Sequence, residues 1–368
     1  MRGMRALLLF LLFIPSAEAQ WWKVQTSGLD TNLRSVSVAN TPDAKGVPVP
    51  VVWVSGSNGV ILKSVDEGKT WKRLHVAGGE ALDFRGIVAF DEKIAYVMSS
   101  GEGEKSRIYK TTNGGETWNL QYTDKHKEFF LDALKCVSEK ECVALGDPTD
   151  GKFLLLRTED GQRWNSLPSN SLPAALPGEA AFAASNTSLL YDDTEILFGT
   201  GGGKAARIFR SNDRGRTWTV VETPVAAGNA SSGIFSLTRD EDRVLAVGGD
   251  YKDASRPFRT AAFSVDGGKA WQLASEQPGG YRSAVAQIDG GWCVSVGPNG
   301  EDFSDDYGAH WKRTDSLNLN SVAVLDVFTS WAVGPNGVIA RFVNHKQYEI
   351  RYRHPRSDQW PAALDVAD

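Results

Sequence analysis

Short apolar runs, each bounded by polar and glycine-rich stretches, follow one another along most of the chain. Runs of this kind, broken by turn residues, read as β-strands rather than helices. One arrangement keeps returning. Val60-Ile61-Leu62 is followed by Ser64-Val65-Asp66-Glu67-Gly68-Lys69-Thr70-Trp71, and then by Lys72-Arg73-Leu74. The same Ser-x-Asp-x-Gly-x-Thr-Trp pattern comes back as TTNGGETW ending at Trp118, SNDRGRTW at Trp218, SVDGGKAW at Trp271 and SDDYGAHW at Trp311. TEDGQRW, ending at Trp164, is a copy shortened by one residue. The tryptophans Trp71, Trp118, Trp164, Trp218, Trp271 and Trp311 are spaced by 47, 46, 54, 53 and 40 residues. A motif returning at such intervals marks a repeat architecture.

Each repeat reads as four strands, with the box between the third and the fourth. First strands are expected at 33–38, 84–90, 131–137, 180–184, 234–238 and 283–288, and a seventh repeat begins at 320–324. That last repeat has no box and no fourth strand. Trp22-Lys23-Val24-Gln25 resembles Trp71-Lys72-Arg73-Leu74, so residues 21–26 are expected to supply the missing strand and close the ring. Tyr348-Glu349-Ile350-Arg351-Tyr352 also alternates and competes for that place. Closure removes unpaired edge strands. The expected fold is all-β: a seven-bladed β-propeller of four-stranded antiparallel blades.

Within each box, glycine provides the positive φ of a tight turn, and the Ser or Thr hydroxyl and the Asp carboxylate bind turn N–H groups. Tryptophan opens the next strand with a large buried ring. The carboxylates Asp66, Asp160, Asp213, Asp266 and Asp306 stand as turn stabilisers; calcium or catalysis is the competing reading. Asn113 takes the carboxylate's place in one copy, which a shared catalytic role would not tolerate.

The box resembles the Asp-box (BNR) repeat of sialidases, other glycoside hydrolases, sortilin-type receptors and photosystem II assembly/stability factors. In these families it marks propeller blades. The resemblance covers most of the chain and is specific for fold, much less so for function. Seven blades in one domain behind an export signal are most similar to the photosystem II assembly-factor branch.

Composition adds a little. The chain has 368 residues with a formal net charge of −5, and no basic stripe of the kind nucleic acid requires. Met1–Ala19 reads as a secretory signal: Arg2 and Arg5, an apolar stretch over 6–14 too short to span a bilayer, and Ala17-Glu18-Ala19 as the cleavage site. The expected organisation is a signal peptide over 1–19, a propeller over 20–342 and a polar tail over 343–368. The mature chain is expected to be exported, periplasmic or extracellular, monomeric and without a transmembrane segment. In that compartment Cys136 and Cys142 can pair across the hairpin KCVSEKECV, leaving Cys293 single. No metal or cofactor motif is present. Gly199-Thr200-Gly201-Gly202-Gly203-Lys204 lacks the spacing of a phosphate loop.

First strands of a propeller line its axis, so residues entering them face a shared mouth. They are Arg34, Arg85, Asp132, Glu179, Ser232, Arg282 and Asn320. Three guanidiniums, Arg34, Arg85 and Arg282, with Asp132 and Glu179 opposite, suit a carboxylate or phosphate ligand, or else neutralise one another. Loops between second and third strands are long only in repeats two to five, which elaborates one side of the same face. There Asp147, Asp150, Asp250, Tyr251 and Arg256 are candidate contacts. Two functions follow. One is a non-enzymatic binding or assembly module that captures a carboxylate-bearing peptide or an anionic small ligand. The alternative is a glycoside hydrolase with Asp132 and Glu179 as the two carboxyl groups. Tyr281 is the nearest thing to a sialidase nucleophile, and the Arg-Ile-Pro motif of sialidases is absent.

Overall fold

The computed structural model describes residues 22–343, apart from 44, 327 and 328. The expected signal segment, the competing strand at 348–352 and the tail beyond 343 lie outside these residues. Seven four-stranded sheets are arranged as a propeller, every strand antiparallel to its neighbours. The innermost strands are Leu33–Pro42, Phe84–Ala89, Leu131–Cys136, Leu189–Tyr191, Ser232–Asp240, Ala284–Asp289 and Ser321–Asp326. The ring closes as the Trp22 pattern predicts. Trp22–Thr26 is the outer strand of blade seven, with Trp22 opposite Phe342 and Gln25 opposite Ile339. Trp22 is 1% exposed, and its Nε1 donates to Glu301 of blade six. No described helix is long and apolar enough to cross a membrane.

The core is not one mass. Seven apolar clusters each fill one interface between adjacent blades. Trp53, Phe84 and Tyr109 join blades one and two, for example, and Leu33, Val54 and Trp331 join seven and one. Each sheet therefore buries both faces, which is why its second strand is a continuous apolar run rather than an alternating one.

The boxes build one geometry. The Ser64 hydroxyl accepts from Gly68 N at 2.8 Å, and Asp66 accepts from the Thr70 N–H at 2.9 Å and its hydroxyl at 2.6 Å. Asn113 reproduces the Thr117 contacts with its amide. Positions 67–68, 114–115, 214–215, 267–268 and 307–308 all have positive φ. This left-handed pair explains the fixed glycine. The Thr217 hydroxyl and N–H hold the Asp213 carboxyl down at about 2. Turn stabilisation accounts for these carboxylates in full. The tryptophans stand one residue ahead of the fourth strands rather than opening them, as with Trp71 before Lys72–Leu74. The boxes also join blades: Lys63 Nζ donates to Gly114 O, and Lys110 Nζ to Gly161 O, each on the next blade's turn.

Blade four departs from the expected strands. Residues 180–184 do not form its inner strand, and only Ala180 bridges Gly201. Leu189–Tyr191 takes that place. The displaced stretch runs over the channel instead.

Candidate functional site

The inner strands start at one mouth of the channel, and several begin with a bulge. In blade one Leu33 pairs with Gly56 and Ser35 with Ser55, leaving Arg34 without a partner in the ladder. The same step leaves out Arg85 in blade two, Asp132 in blade three and Phe235 in blade five. A bulge frees its extra residue to take a direction of its own. Thus four side chains, two basic, one acidic and one aromatic, occupy equivalent places at the mouth.

Arg282 is not among them. Its N–H donates to Gly248 O, as Leu33 N does to Gly334 O and Leu319 N to Gly297 O. It therefore occupies the place of Leu33, and Ser283 that of Arg34. A slip of one residue turns a side chain from channel to blade interior. Arg282 is fully buried against Asp302, with Nε 2.6 Å from Oδ2, and also binds Tyr281 O and Asn299. Burial lowers its pKa, and Asp302 opposes that shift. Blade five differs as well: Phe235, not Ser232, holds its mouth position.

Arg34 and Arg85 converge on one carboxylate. Arg34 reaches Asp83 with Nε at 3.3 Å and Nη2 at 3.2 Å, and Arg85 Nε is 2.8 Å from the same group. Ser57 donates to it at 2.7 Å. Arg85 Nη1 donates to Ala183 O. Burial pushes the Asp83 carboxyl up, and the charges of Arg85 and Arg34 more than offset it. Burial, then the charge of Arg85, depresses Arg34. Asp83 escaped the sequence reading although it stands two residues before Arg85. The signal lay in Asp83-Phe84-Arg85, where an acid and a base flank the strand's first core residue.

An aromatic wall completes this side. Phe182 stacks on Phe235 at 3.9 Å between centroids, Tyr281 meets the edge of Phe235 at 4.7 Å, and Tyr251 packs on both Phe235 and Tyr281. Tyr251 is 46% exposed at the rim. The Tyr281 phenol is raised by burial and then by Tyr251, while Arg85 and Arg34 act in the opposite direction.

On blade three, next in the ring to Arg85, stands Asp132, 1% exposed, with both carboxyl oxygens lacking a hydrogen-bond partner among the described residues. Burial and then the charge of Asp147 hold it well above the usual carboxylate range, against Arg85. Asp147 accepts from Ala181 N at 3.0 Å, and burial lifts it to about 6.

Residues 183–187 close the channel beneath the mouth. Ser185 donates to Ser283 O of blade six and accepts, at its carbonyl, from Ser321 of blade seven. Asn186, in the left-handed region at φ 66°, exchanges two hydrogen bonds with Leu134 of blade three. Thr187 pairs with Ser236 of blade five at 2.7 Å. Nothing in the local pattern announces this crossing. It is an interaction of one segment with five other blades.

The remaining candidates are scattered or committed. Glu179 has no exposed side-chain surface, and its two oxygens accept from Arg207, Thr200 and Leu176 N. It is a structural ion-pair partner, which removes one of the two carboxyl groups a glycosidase would need. Asp250 caps a single 3-10 turn by accepting from Lys252 N, and Asp150 sits at φ 54° in an exposed turn. Arg256 lies over the Phe258 ring at 4.6 Å. Cys136 and Cys142 are bridged, and Cys293 is free and buried. A shallow depression of about 430 Å³ on the outer edge of blade three is remote from the channel, and its Arg157 is already paired with Glu141 and Glu159.

A match to the family described as DUF6242 beta propeller domain spans residues 13–240. No curated protein matches the chain. Among solved structures it is similar to YCF48 bound to D1 peptide, with a TM-score of 0.59 and 14% identity over 88% of this chain and 97% of that one. YCF48 from Cyanidioschyzon merolae gives a TM-score of 0.62 and 15% identity over 88% and 99%. The WD40 beta propeller domain of Doa1 gives 0.55 and 13% over 88% and 98%. Likeness at these identities establishes a common fold and no more.

Proposed function

The chain belongs to the DUF6242 beta propeller family, and from that premise we propose that it is a non-enzymatic binding module whose mouth captures the carboxylate of a peptide. One observation carries the reading: two guanidiniums on adjacent blades share a single carboxylate, Asp83. The trio keeps an excess positive charge. Each guanidinium has five N–H donors, and the hydrogen bonds to Asp83 and Ala183 use only part of them. What is left over suits a planar anion. The aromatic wall beside it suits the side chain next to that anion. A similar fold holding a D1 peptide supports a peptide as the ligand class. The repeated boxes support placing the chain with Asp-box propellers, and the apolar leader supports work outside the cytoplasm. No observation favours the glycosidase alternative, since Glu179 is fully engaged.

The test is retention of peptides with a free C-terminal carboxylate on the immobilised protein, against the same peptides amidated. Arg85→Glu and Arg34→Glu should each abolish retention, and amidation should do the same. Retention unchanged by both substitutions sinks the reading. Both arginines are partly exposed, and a thermal melt of each variant checks that it is folded before retention is read.

A further inference from the structure

Phe182 and Ala183 touch the two features of the mouth on which peptide capture relies. The Phe182 ring stacks on Phe235 at 3.9 Å between centroids and 14° between planes. One residue later, Ala183 O accepts from Arg85 Nη1 at 2.9 Å. The ring has a seat of its own. Gly201 and Gly233 pair through their backbones, and a β-carbon on either would stand 2.8 Å from Phe182 Cε2. Phe182 is half-buried, and neither it nor Phe235, Tyr251 or Tyr281 belongs to the seven inter-blade clusters. The aromatic wall is therefore a lining of the mouth, separate from the packing that joins the sheets.

The stretch is tied at its ends and not between them. Ala180 is bridged to Gly201, Ala181 N donates to Asp147, and Ser185 is bound to blades six and seven. From Phe182 to Ala184, among the described residues, the main chain makes no hydrogen bond to other main-chain groups. Its polar contact there is the Ala183 carbonyl on Arg85. Only these three residues can give way without breaking a main-chain tie.

A neutral carbonyl is a weaker partner for a guanidinium than a carboxylate, which adds a full charge and a second oxygen. We propose that Phe182-Ala183 is a built-in stand-in for the ligand, and that the mouth takes peptides ending in an aromatic residue followed by a small one with a free carboxylate. This rests on the peptide-capture reading and names its ligand class. The stand-in sets the order along the chain: ring first, carbonyl one residue later. Ala183 is 6% exposed, so the last place holds only a small side chain. On binding, the ligand's ring takes the seat on Phe235, its carboxylate takes Arg85, and Phe182 swings out. The free protein must first give up its own contacts, so it binds more weakly than an open mouth would.

Hexapeptides ending in Phe-Ala, in Ala-Ala and in amidated Phe-Ala are titrated into the full chain by calorimetry. The free Phe-Ala peptide should bind about tenfold more tightly than either of the others. Phe182→Ala removes the competing ring and should tighten that peptide about tenfold further. A second measurement keeps the ring. With 4-fluorophenylalanine in place of Phe182, saturating Phe-Ala peptide should move the fluorine-19 resonance to its position in the urea-unfolded chain. Equal binding of Phe-Ala and Ala-Ala peptides, no tightening in a folded Phe182→Ala variant, or a fluorine signal unmoved by bound peptide overturns the stand-in and leaves peptide capture intact. If no free-carboxylate peptide binds, both fall.

Discussion

Arg34 and Arg85 share Asp83 at the mouth, whereas Arg207 and Arg282 each have a carboxylate to themselves, Glu179 and Asp302, inside blades four and six. Side-chain exposure follows the same division: 22% and 29% for the first two, 9% and 0% for the others. The residue type is the same and the neighbourhood in the chain is similar. What differs is stoichiometry. A one-to-one pair in the interior is neutral and serves the fold. A two-to-one group at the rim keeps a positive charge that its one carboxylate does not balance. Buried carboxyls follow the same logic. Among the described residues Glu301, beside Asp302, has no guanidinium of its own and accepts only from Trp22 Nε1 and the Thr314 hydroxyl, so burial raises it to about 7.

Breaking a one-to-one pair should have the largest effect. Arg282→Met leaves Asp302 buried without its cation and is expected to cost about 3–5 kcal/mol, measured by urea unfolding. Peptide retention should survive at temperatures where the variant is folded. A stability loss under 1 kcal/mol would erase the distinction between interior and rim arginines.

Glu301 sharpens the comparison through pH. Its folded pKa, about 7, lies above its unfolded value, so the folded state holds the proton more tightly. Its contribution is complete below about pH 4 and is lost as pH rises through about 7. Asp147, lifted to about 6, acts in the same direction. Melting temperature should therefore fall between about pH 4 and 7, and Glu301→Gln, which keeps an acceptor for Trp22, should flatten the upper part of that slope. A slope unchanged in the variant would remove Glu301 from the account.

The smallest effect is expected at the rim. Asp83→Asn removes the shared carboxylate and frees both guanidiniums. Peptide retention should tighten about tenfold, which corresponds to about 1.4 kcal/mol, with little loss of stability. Weaker retention would mean that Asp83 positions the arginines more than it neutralises them.

Much of the architecture was legible in the chain because its determinants are local. The box specifies a hairpin through contacts within a few residues, as Ser64 to Gly68 and Asp66 to Thr70 demonstrate. Spacing of the tryptophans then counts blades, and the orphan Trp22 strand predicts how the ring closes. Arg34, Arg85 and Asp132 were found because repeated strand starts put like positions in register. Arg282 was misplaced because a one-residue slip leaves the pattern of apolar residues intelligible while reversing a side chain's direction.

Only the tertiary structure decided what those positions mean. Asp83 as the shared counter-ion, Glu179 as Arg207's partner and the crossing of the channel by Ser185-Asn186-Thr187 all join residues distant along the chain. No periodicity encodes such contacts. Hydrogen-bond geometry and charge balance are settled when seven sheets meet around one axis, so the sequence alone determined the ring and its closure, and three-dimensional packing determined which of its charges are neutralised one-to-one and which share a counter-ion at the mouth.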